Sequence, residues 1–426
     1  MMLAVVLLLL LGAIGMGLPI AFALAAVSIG VLAFSGADLS IVAQRLYRGT
    51  NSFPLLAVPL FILAGSIMNH SGISSRLVDF ARALVGAMRG GLAAVNVVTS
   101  MFFAGMSGTS MSDTAAVGGV MIPQMIRRGY SRAFSAAVTA SSSTIGIIIP
   151  PSVPMVILAA YMGISTGALF AAGLLSGVLL GIGLIAVAWV VSIRRNYPTE
   201  APFRLGHVLH TLIRALPALM MPVIVLGGIL GGIFTPTEAS AIAVVYGIVI
   251  SMTVYRSLSV RKLYAAFVES AILSGAVMLV TATAHVLGYT FTYAALADAL
   301  LVPISQTDMG PLLLLVVLAA ILIVVGTFLD GIAMMFIVVP LFLPATQLLG
   351  IDPLQFAMVV MICWGIGQQT PPVGAALFIT SVLSRTDVLR ITRANLPFIA
   401  VMFVVLALVI ALPELIVLSV PRWLGL

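Results

Sequence analysis

Oxygen-bearing side chains interrupt two strongly apolar stretches in the first half of this chain. The interruptions are GMSGTSMSDTAAVGG, which ends at Gly119, and SSSTIGIIIPPS, which ends at Ser152. In hydrocarbon, broken helices are tolerated only where they are buried in protein or line a wet cavity. Unwound carbonyls and neighbouring hydroxyls at such breaks are good ligands for Na⁺. The spacing therefore predicts a sodium site formed by Ser107, Gly108, Thr109, Ser110, Ser143, Thr144 and Gly146.

The second half repeats this arrangement around GTFLDGIAMMF, which starts at Gly326, and QQTPPVGAA, which starts at Gln368. Proline and glycine residues beside the polar interruptions recur at one constant offset: Pro123, Gly129, Pro150 and Pro151 return as Pro344, Gly350, Pro371 and Pro372. A repeat of this kind with broken helices is typical of secondary transporters. It predicts a second sodium site formed by Gly326, Thr327, Thr370 and Gly374.

The helix starts at these breaks suit an anionic substrate, because helix N-termini carry partial positive charge and bind anions. An intramembrane carboxylate is a functional candidate by default, which favours a functional role for Asp330. Asp113 has two open interpretations, a ligand or a cap of a helix start within the hairpin. The residues predicted to face the substrate are Asp330, Ser110, Asp113, Pro151, Ser152, Gln369 and Pro371.

Three further ionisable residues have structural interpretations. Glu238 follows Thr235-Pro236-Thr237 and is expected to cap the start of a helix. Glu269 is expected to snorkel or to pair locally. We expect His285 to be a hydrogen-bonded core histidine rather than a proton relay.

The composition predicts an all-α polytopic membrane protein, since 62% of its 426 residues are hydrophobic and only 7% are charged. The net charge of +7 does not indicate nucleic-acid binding, because the basic residues lie singly or in small groups between apolar segments. The sequence contains no Walker loop, which excludes ATP as the energy source. It also lacks a grouping of nucleophile and base, so we do not expect an enzyme.

Charges at the ends of the two polar hairpins predict their orientation. Arg89 and Arg127 flank the first hairpin, which therefore opens to the cytoplasm, whereas Asp308 and Asp352 flank the second. The sequence thus predicts two inverted repeats with a periplasmic N-terminus. The predicted parts are a first repeat over 1–193 with a hairpin at 92–125 and a broken helix at 134–161, a cytoplasmic linker at 194–215, and a second repeat over 216–426 with a hairpin at 311–345 and a broken helix at 354–381.

The motifs resemble those of the large membrane subunits of tripartite ATP-independent periplasmic (TRAP) transporters, DctM-like members of the ion transporter superfamily. The most specific part is LFILAGSIMNHSGISSRLVDFARALVGAMRGGLAAVN followed by FFAGMSGTSMSDTAAVGGVMIPQM. The stretches SSSTIGIIIPPSVPMV, VVGTFLDGIAMMFIVVPLFLP and GQQTPPVGAALF support the resemblance.

The resemblance implies sodium-coupled import of a small organic acid across the bacterial inner membrane by an elevator mechanism, in which a transport domain moves against a scaffold. It implies two protein partners, a separate small four-helix membrane subunit and a periplasmic substrate-binding protein. Na⁺ would be the coupling ion, with no other cofactor. By position, the hairpin tip at 107–110 and the break at 143–146 would hold one sodium ion, and Thr327, Asp330 and Thr370 would line the second site or the substrate side.

Three alternatives remain open at the level of sequence. The first is a one-component sodium/dicarboxylate symporter of the same fold, which would transport without a binding protein. The second is an ion channel with two selectivity loops, and the third is an intramembrane enzyme.

Overall fold

The computed structural model of the protein describes residues 2–200, 202–296 and 310–426. In these ranges there is no β-strand, and one isolated bridge pairs Arg89 with Thr199. The helices of the first half are α1 (Met2–Gly15), α2 (Ile20–Phe34), α3 (Ser40–Thr50), α4 (Ala57–His70), α5 (Ile73–Val85), α6 (Gly91–Ser107), α7 (Ser110–Arg127), α8 (Arg132–Ser143), α9 (Ile145–Ile148), α10 (Val153–Met162) and α11 (Thr166–Arg194). The helices of the second half are α12 (Leu205–Leu230), α13 (Pro236–Val249), α14 (Val260–Tyr293), α15 (Pro311–Phe328), α16 (Gly331–Leu348), α17 (Pro353–Gly367), α18 (Ala375–Ser384), α19 (Val388–Ala411), α20 (Pro413–Ile416) and α21 (Ser419–Trp423).

Eight of the described helical segments are long and apolar enough to cross a membrane. Helices α8 and α9 together are bent by 43° relative to α10, around residues 149–152. If these segments are counted as one span, the number of candidate spans is nine. The predicted all-α polytopic membrane fold is thereby confirmed. The division into two inverted repeats stays a prediction, and Asp308, one of the acids used to orient the second hairpin, lies outside the described residues.

Both predicted hairpins consist of two helices joined by a very short turn. Gly108 and Thr109 join α6 to α7, and Leu329 and Asp330 join α15 to α16. Gly108 has a φ of +63°, a left-handed conformation that glycine adopts without steric cost. Helix α8 packs against both helices of the first hairpin, and α17 packs against both helices of the second. Each hairpin tip is therefore held beside a helix that is itself interrupted.

The part of the chain that the structure describes contains two interrupted helices. The first one breaks between α9 and α10 at residues 149–152, and the second between α17 and α18 at residues 368–374. Helix α12 begins at Leu205, inside the stretch 194–215 that was predicted as a linker. Val208, Thr211 and Ala215 recur at helical spacing on its buried side, and α12 packs against α5. The non-helical connection is therefore shorter than the sequence suggested.

Helices α4 and α14 bring residues from outside the hairpins to the hairpin tips. Helix α14 packs against α2, α3, α4 and α16, and α4 packs against α6 and α13. Gly65 on α4 faces the backbone of the first tip, since an added Cβ would lie 3.1 Å from both the Cα and the carbonyl oxygen of Ser107. This close approach needs a residue without a side chain at position 65.

Helix α13 begins as the sequence predicted. The Thr235 hydroxyl accepts a hydrogen bond from the Glu238 backbone N–H at 3.3 Å, and the Glu238 carboxylate accepts one from the Thr235 N–H at 2.8 Å. The two residues form a capping box, which satisfies two backbone donors at the helix start. The capping role predicted for Glu238 is confirmed.

Candidate functional site

A cavity of about 960 Å³ opens between the two hairpin tips, helices α4 and α5, and helix α14. Most of its lining is apolar, as is usual for a site that binds a small molecule. The oxygen- and nitrogen-bearing side chains that line it are Asn69, Ser74, Ser75, Thr109, Ser110, Ser112, Glu269, Asp330, Trp364 and Gln368. Of the residues predicted from the sequence, Thr109, Ser110 and Asp330 are in this lining.

Three helix N-termini meet the cavity. Helix α7 begins at Ser110, α10 begins at Val153, and α16 begins at Gly331 beside the lining residue Ile332. The first backbone N–H groups of a helix have no partner within the helix and carry partial positive charge. At α10 the Val153 and Met155 N–H groups already have acceptors and Pro154 has no N–H, so the start of α7 is better placed than the start of α10 to offer backbone donors to an anion.

The first hairpin tip encloses a fully buried carboxylate. The Ser107 hydroxyl donates a short hydrogen bond to Oδ1 of Asp113, whereas Oδ2 of Asp113 has no hydrogen-bond partner within the described part of the chain. Oδ2 occupies the space that a Cβ would need at Gly146. Helix α7 has Thr109 as its N-cap residue, and Asp113 lies further along its first turn. Asp113 is therefore not the helix cap that was one of its two interpretations.

The same tip contacts the break of the first interrupted helix. The Ser110 hydroxyl donates to the Ser143 hydroxyl at 3.5 Å, and the Val153 backbone N–H donates to the Gly108 carbonyl oxygen at 3.1 Å. Ser152 caps α10, because its hydroxyl accepts from the Met155 N–H at 3.5 Å. The residues that come together here are Ser107, Gly108, Thr109, Ser110, Asp113, Ser143, Gly146, Pro151 and Ser152.

The second hairpin tip meets its interrupted helix in a similar way. The Asp330 carboxylate caps α16 by accepting from the Ile332 N–H at 3.1 Å. The Val373 N–H donates to the Thr327 carbonyl oxygen at 3.2 Å, and Gly326 lies directly against the backbone of Gly367. The aligned glycines allow the two backbones to touch.

The hydroxyl groups predicted for the second sodium site are bonded within their own helices. Thr327 donates to the Val324 carbonyl oxygen and Thr370 donates to the Ile366 carbonyl oxygen, both at 2.8 Å. Gly374 has a φ of +53°, and a Cβ there would lie 3.2 Å from the Thr370 carbonyl oxygen. Oxygen atoms from Thr327 and Thr370 remain free to accept a cation through their second lone pairs.

Gln369 lies away from the large cavity. Its side-chain oxygen accepts from the Ser141 hydroxyl and from the Asn395 amide, both at 2.9 Å, and its amide donates to the Thr144 hydroxyl. Thr144 is thus bonded to the second interrupted helix instead of to the first hairpin tip. Pro371 is half-buried and is not part of the cavity lining.

Helices α4 and α14 carry a cluster of polar side chains that was not predicted from the sequence. The Ser66 hydroxyl donates to the Glu269 carboxylate at 2.9 Å, and the Asn69 amide donates to the Ser112 hydroxyl on the first hairpin at 2.7 Å. Of the two expectations for Glu269, local pairing is wrong because its partner is on another helix, and snorkelling stays a prediction. His285 behaves as expected, since its Nδ1 bonds to the Thr281 carbonyl oxygen at 2.9 Å.

Comparison with known proteins agrees with this architecture. The family model described as "Tripartite ATP-independent periplasmic transporter, DctM component" matches residues 5–415. The chain belongs to this family. The resemblance drawn from the motifs is thereby confirmed, and the chain is a member of the TRAP large permease family.

Two curated relatives cover nearly the whole chain. The C4-dicarboxylate TRAP transporter large permease protein DctM of Pseudomonas aeruginosa is 36% identical over 93% of this chain and 92% of its own length. The 2,3-diketo-L-gulonate TRAP transporter large permease protein YiaN of Escherichia coli is 34% identical over 98% of each chain. Among solved structures, the YdaH transporter of Alcanivorax borkumensis superposes with a TM-score of 0.67 at 15% identity, over 91% of this chain and 89% of that one. That similarity supports the fold.

Proposed function

We propose that this TRAP large permease imports a small organic acid in symport with Na⁺. The observation that carries the proposal is the Asp113 carboxylate, which is fully buried at the meeting point of the hairpin tip and the first helix break. One of its oxygens is without a hydrogen-bond partner in the described part of the chain. A buried charge without a partner is costly, and a bound cation would compensate it.

The oxygen atoms at the first tip support a sodium site at Asp113. The Ser107 hydroxyl is bonded to the carboxylate, the Ser110 and Ser143 hydroxyls are bonded to each other, and Gly146 lies against both the carboxylate and the Thr109 carbonyl oxygen. Oxygen ligands from unwound helices are those used for Na⁺ in secondary transporters. We therefore assign Asp113, predicted as a substrate ligand, to the first sodium site instead. The second site is proposed at Gly326, Thr327, Thr370 and Gly374, as the motif positions imply.

The substrate would bind in the large cavity in front of the three helix N-termini. The N-terminus of α7 provides donors for a carboxylate, the N-termini of α10 and α16 add partial positive charge, and Asp330 fixes the start of α16 by accepting from the Ile332 N–H. Pro151 and Ser152 would not contact the substrate themselves. They would act by fixing the start of α10, which Ser152 caps. The relatives in Pseudomonas aeruginosa and Escherichia coli are named as permeases for C4-dicarboxylates and 2,3-diketo-L-gulonate, which are both organic acids.

Membership of the family also supports a set of partners and a location. We propose a small four-helix membrane subunit, a periplasmic substrate-binding protein and a position in the bacterial inner membrane with the N-terminus in the periplasm. Transport would follow an elevator mechanism, with the hairpins and interrupted helices moving against a scaffold that includes α4 and α14. No resident cofactor and no catalytic residue are proposed.

The test is uptake of radiolabelled organic acids into proteoliposomes that contain this chain and its small subunit. Uptake that requires both a binding protein and an inward sodium gradient supports the proposal. Sodium-driven uptake without a binding protein would favour the one-component symporter. Single-channel currents in a planar bilayer would favour the ion channel, and transport independent of sodium would contradict the coupling.

A further inference from the structure

A second, much smaller cavity of about 60 Å³ adjoins the large one between α4, α14 and the first hairpin tip. The two cavities share Asn69, Thr109, Ser112 and Glu269 in their linings. The small cavity is therefore a polar extension of the large one. It is lined by Thr109 and Ser112 of the first hairpin, whereas Asp330 and Ile332 of the second hairpin line the large cavity and not the small one.

The extension is rich in hydrogen-bond acceptors. The Glu269 side chain is 63% exposed and faces both cavities, and the Ser66 hydroxyl is the one donor bonded to its carboxylate in the described part of the chain. The Asn69 amide donates to Ser112, which leaves the Asn69 side-chain oxygen buried with no partner among the described residues. Buried acceptors without partners are costly unless a ligand or water supplies a donor.

The charge of the combined lining also favours a ligand that brings hydrogen-bond donors to Glu269. Within the described residues, the two cavities are lined by two carboxylates, Glu269 and Asp330, and by no lysine, arginine or histidine. His70 lies 3.8 Å from the Glu269 carboxylate, but its Nδ1 is 3.0 Å from the Ser66 carbonyl oxygen. A sodium ion at the first proposed site would be bound by Asp113, and no described residue of the two linings supplies a positive charge for Glu269.

We propose that Glu269 and Asn69 bind hydrogen-bond donors at the polar end of the substrate, so that the cargo is a monocarboxylate bearing hydroxyl or ammonium groups. Its single carboxylate would lie in the large cavity, where Ser110 and Met111 at the start of α7 are part of the lining. A dicarboxylate would bring a second negative charge towards Glu269 with no cationic side chain to receive it, which is unfavourable. This inference rests on the proposed function, because it concerns the cargo of the same cavity.

The experiment measures the melting temperature of the purified chain in detergent and sodium buffer, titrated with defined probes. Gluconate and glucuronate represent hydroxylated monocarboxylates, β-alanine represents an ammonium-bearing one, and succinate and fumarate represent dicarboxylates. We expect at least one monocarboxylate probe to raise the melting temperature, and neither dicarboxylate to do so.

Two variants distinguish the hydroxyl from the ammonium group. Glu269→Gln keeps an acceptor but removes the charge, so it should weaken β-alanine about tenfold and gluconate much less. Glu269→Ala should weaken both about tenfold or more. Asn69→Ala tests the same site through another side chain. Glu414→Gln is the matched control, because Glu414 is exposed and pairs with Arg422 in the C-terminal segment.

Equal stabilisation by succinate or fumarate would overturn the inference, and so would a monocarboxylate response that is unchanged in Glu269→Ala and Asn69→Ala. The absence of any response to the monocarboxylates would also overturn it. The proposed function is tested separately by uptake, since sodium-driven import of a dicarboxylate would refute this inference and leave the symporter intact.

Discussion

Asp113 and Gly146 are in direct contact, although they belong to different helices, α7 and α9. Oδ2 of Asp113 fills the position that a Cβ would take at Gly146, and this is the carboxylate oxygen that has no hydrogen-bond partner in the described chain. Ser107 holds the other oxygen. The carboxylate is thus held against the backbone of α9, just before the break in the first interrupted helix.

Gly146→Ala should disrupt this contact, because the new methyl group and Oδ2 cannot occupy the same space. We expect the sodium concentration for half-maximal uptake to rise about tenfold or more, which corresponds to about 1.4 kcal/mol of lost binding energy. The measurement is sodium-dependent uptake in proteoliposomes. The control is Gly119→Ala on α7, where an added Cβ has no neighbour within 4 Å. Similar sodium dependence in both variants would contradict the assignment.

Asp113→Asn tests the charge without changing the size of the side chain. An amide keeps one acceptor for Ser107 but cannot compensate a cation. We expect the apparent sodium affinity to fall by at least about tenfold. The free energy of unfolding should fall little, since a buried charge is removed at the same time. If the variant takes up substrate with wild-type sodium dependence, Asp113 is not a sodium ligand.

The features predicted from the sequence are those encoded by local patterns. The polar turns of the hairpins, the helix breaks and the Thr235–Glu238 capping box are all formed by residues that are neighbours in the sequence. Helix α3 was not predicted from the sequence, and the start of α12 was placed too late. Both helices gain their stability from packing against distant segments, α14 and α5 respectively.

The partners of individual side chains could not be predicted in the same way. Ser66 and Glu269 lie 203 residues apart, and Thr144 and Gln369 lie 225 residues apart. Nothing in the local sequence distinguishes Glu269 from a snorkelling glutamate, because its role depends on how α14 packs against α4. Such long-range pairs need the three-dimensional arrangement of the helices.

Asp330 can be tested with two variants that separate capping from transport. Asparagine caps helices about as well as aspartate, whereas alanine costs about 1 kcal/mol. Asp330→Asn should therefore melt like the wild type, and Asp330→Ala should be less stable. We expect both to lose most uptake, because the carboxylate lines the substrate cavity. Normal transport by Asp330→Asn would reduce Asp330 to a structural cap.

Gln369 should act as a structural link between the two interrupted helices. It connects Ser141 and Thr144 on the first with Asn395 on α19, all within a buried network. Gln369→Ala leaves these groups without partners, and each unsatisfied buried group costs about 1–3 kcal/mol. We expect a clear fall in melting temperature, whereas Gln347→Ala, at an exposed glutamine on α16, should have almost no effect.

A double-mutant cycle with Asn395→Ala shows whether the link is one cooperative unit. Because Gln369 and Asn395 share Ser141 as a partner, removing the second side chain should cost less once the first is gone. We expect a coupling free energy of about 0.5–3 kcal/mol between the two substitutions. Sodium-dependent uptake should fall together with the melting temperature, since Thr144 lies beside Ser143 at the first proposed sodium site. Strictly additive effects on melting would mean that the two helices are held together elsewhere.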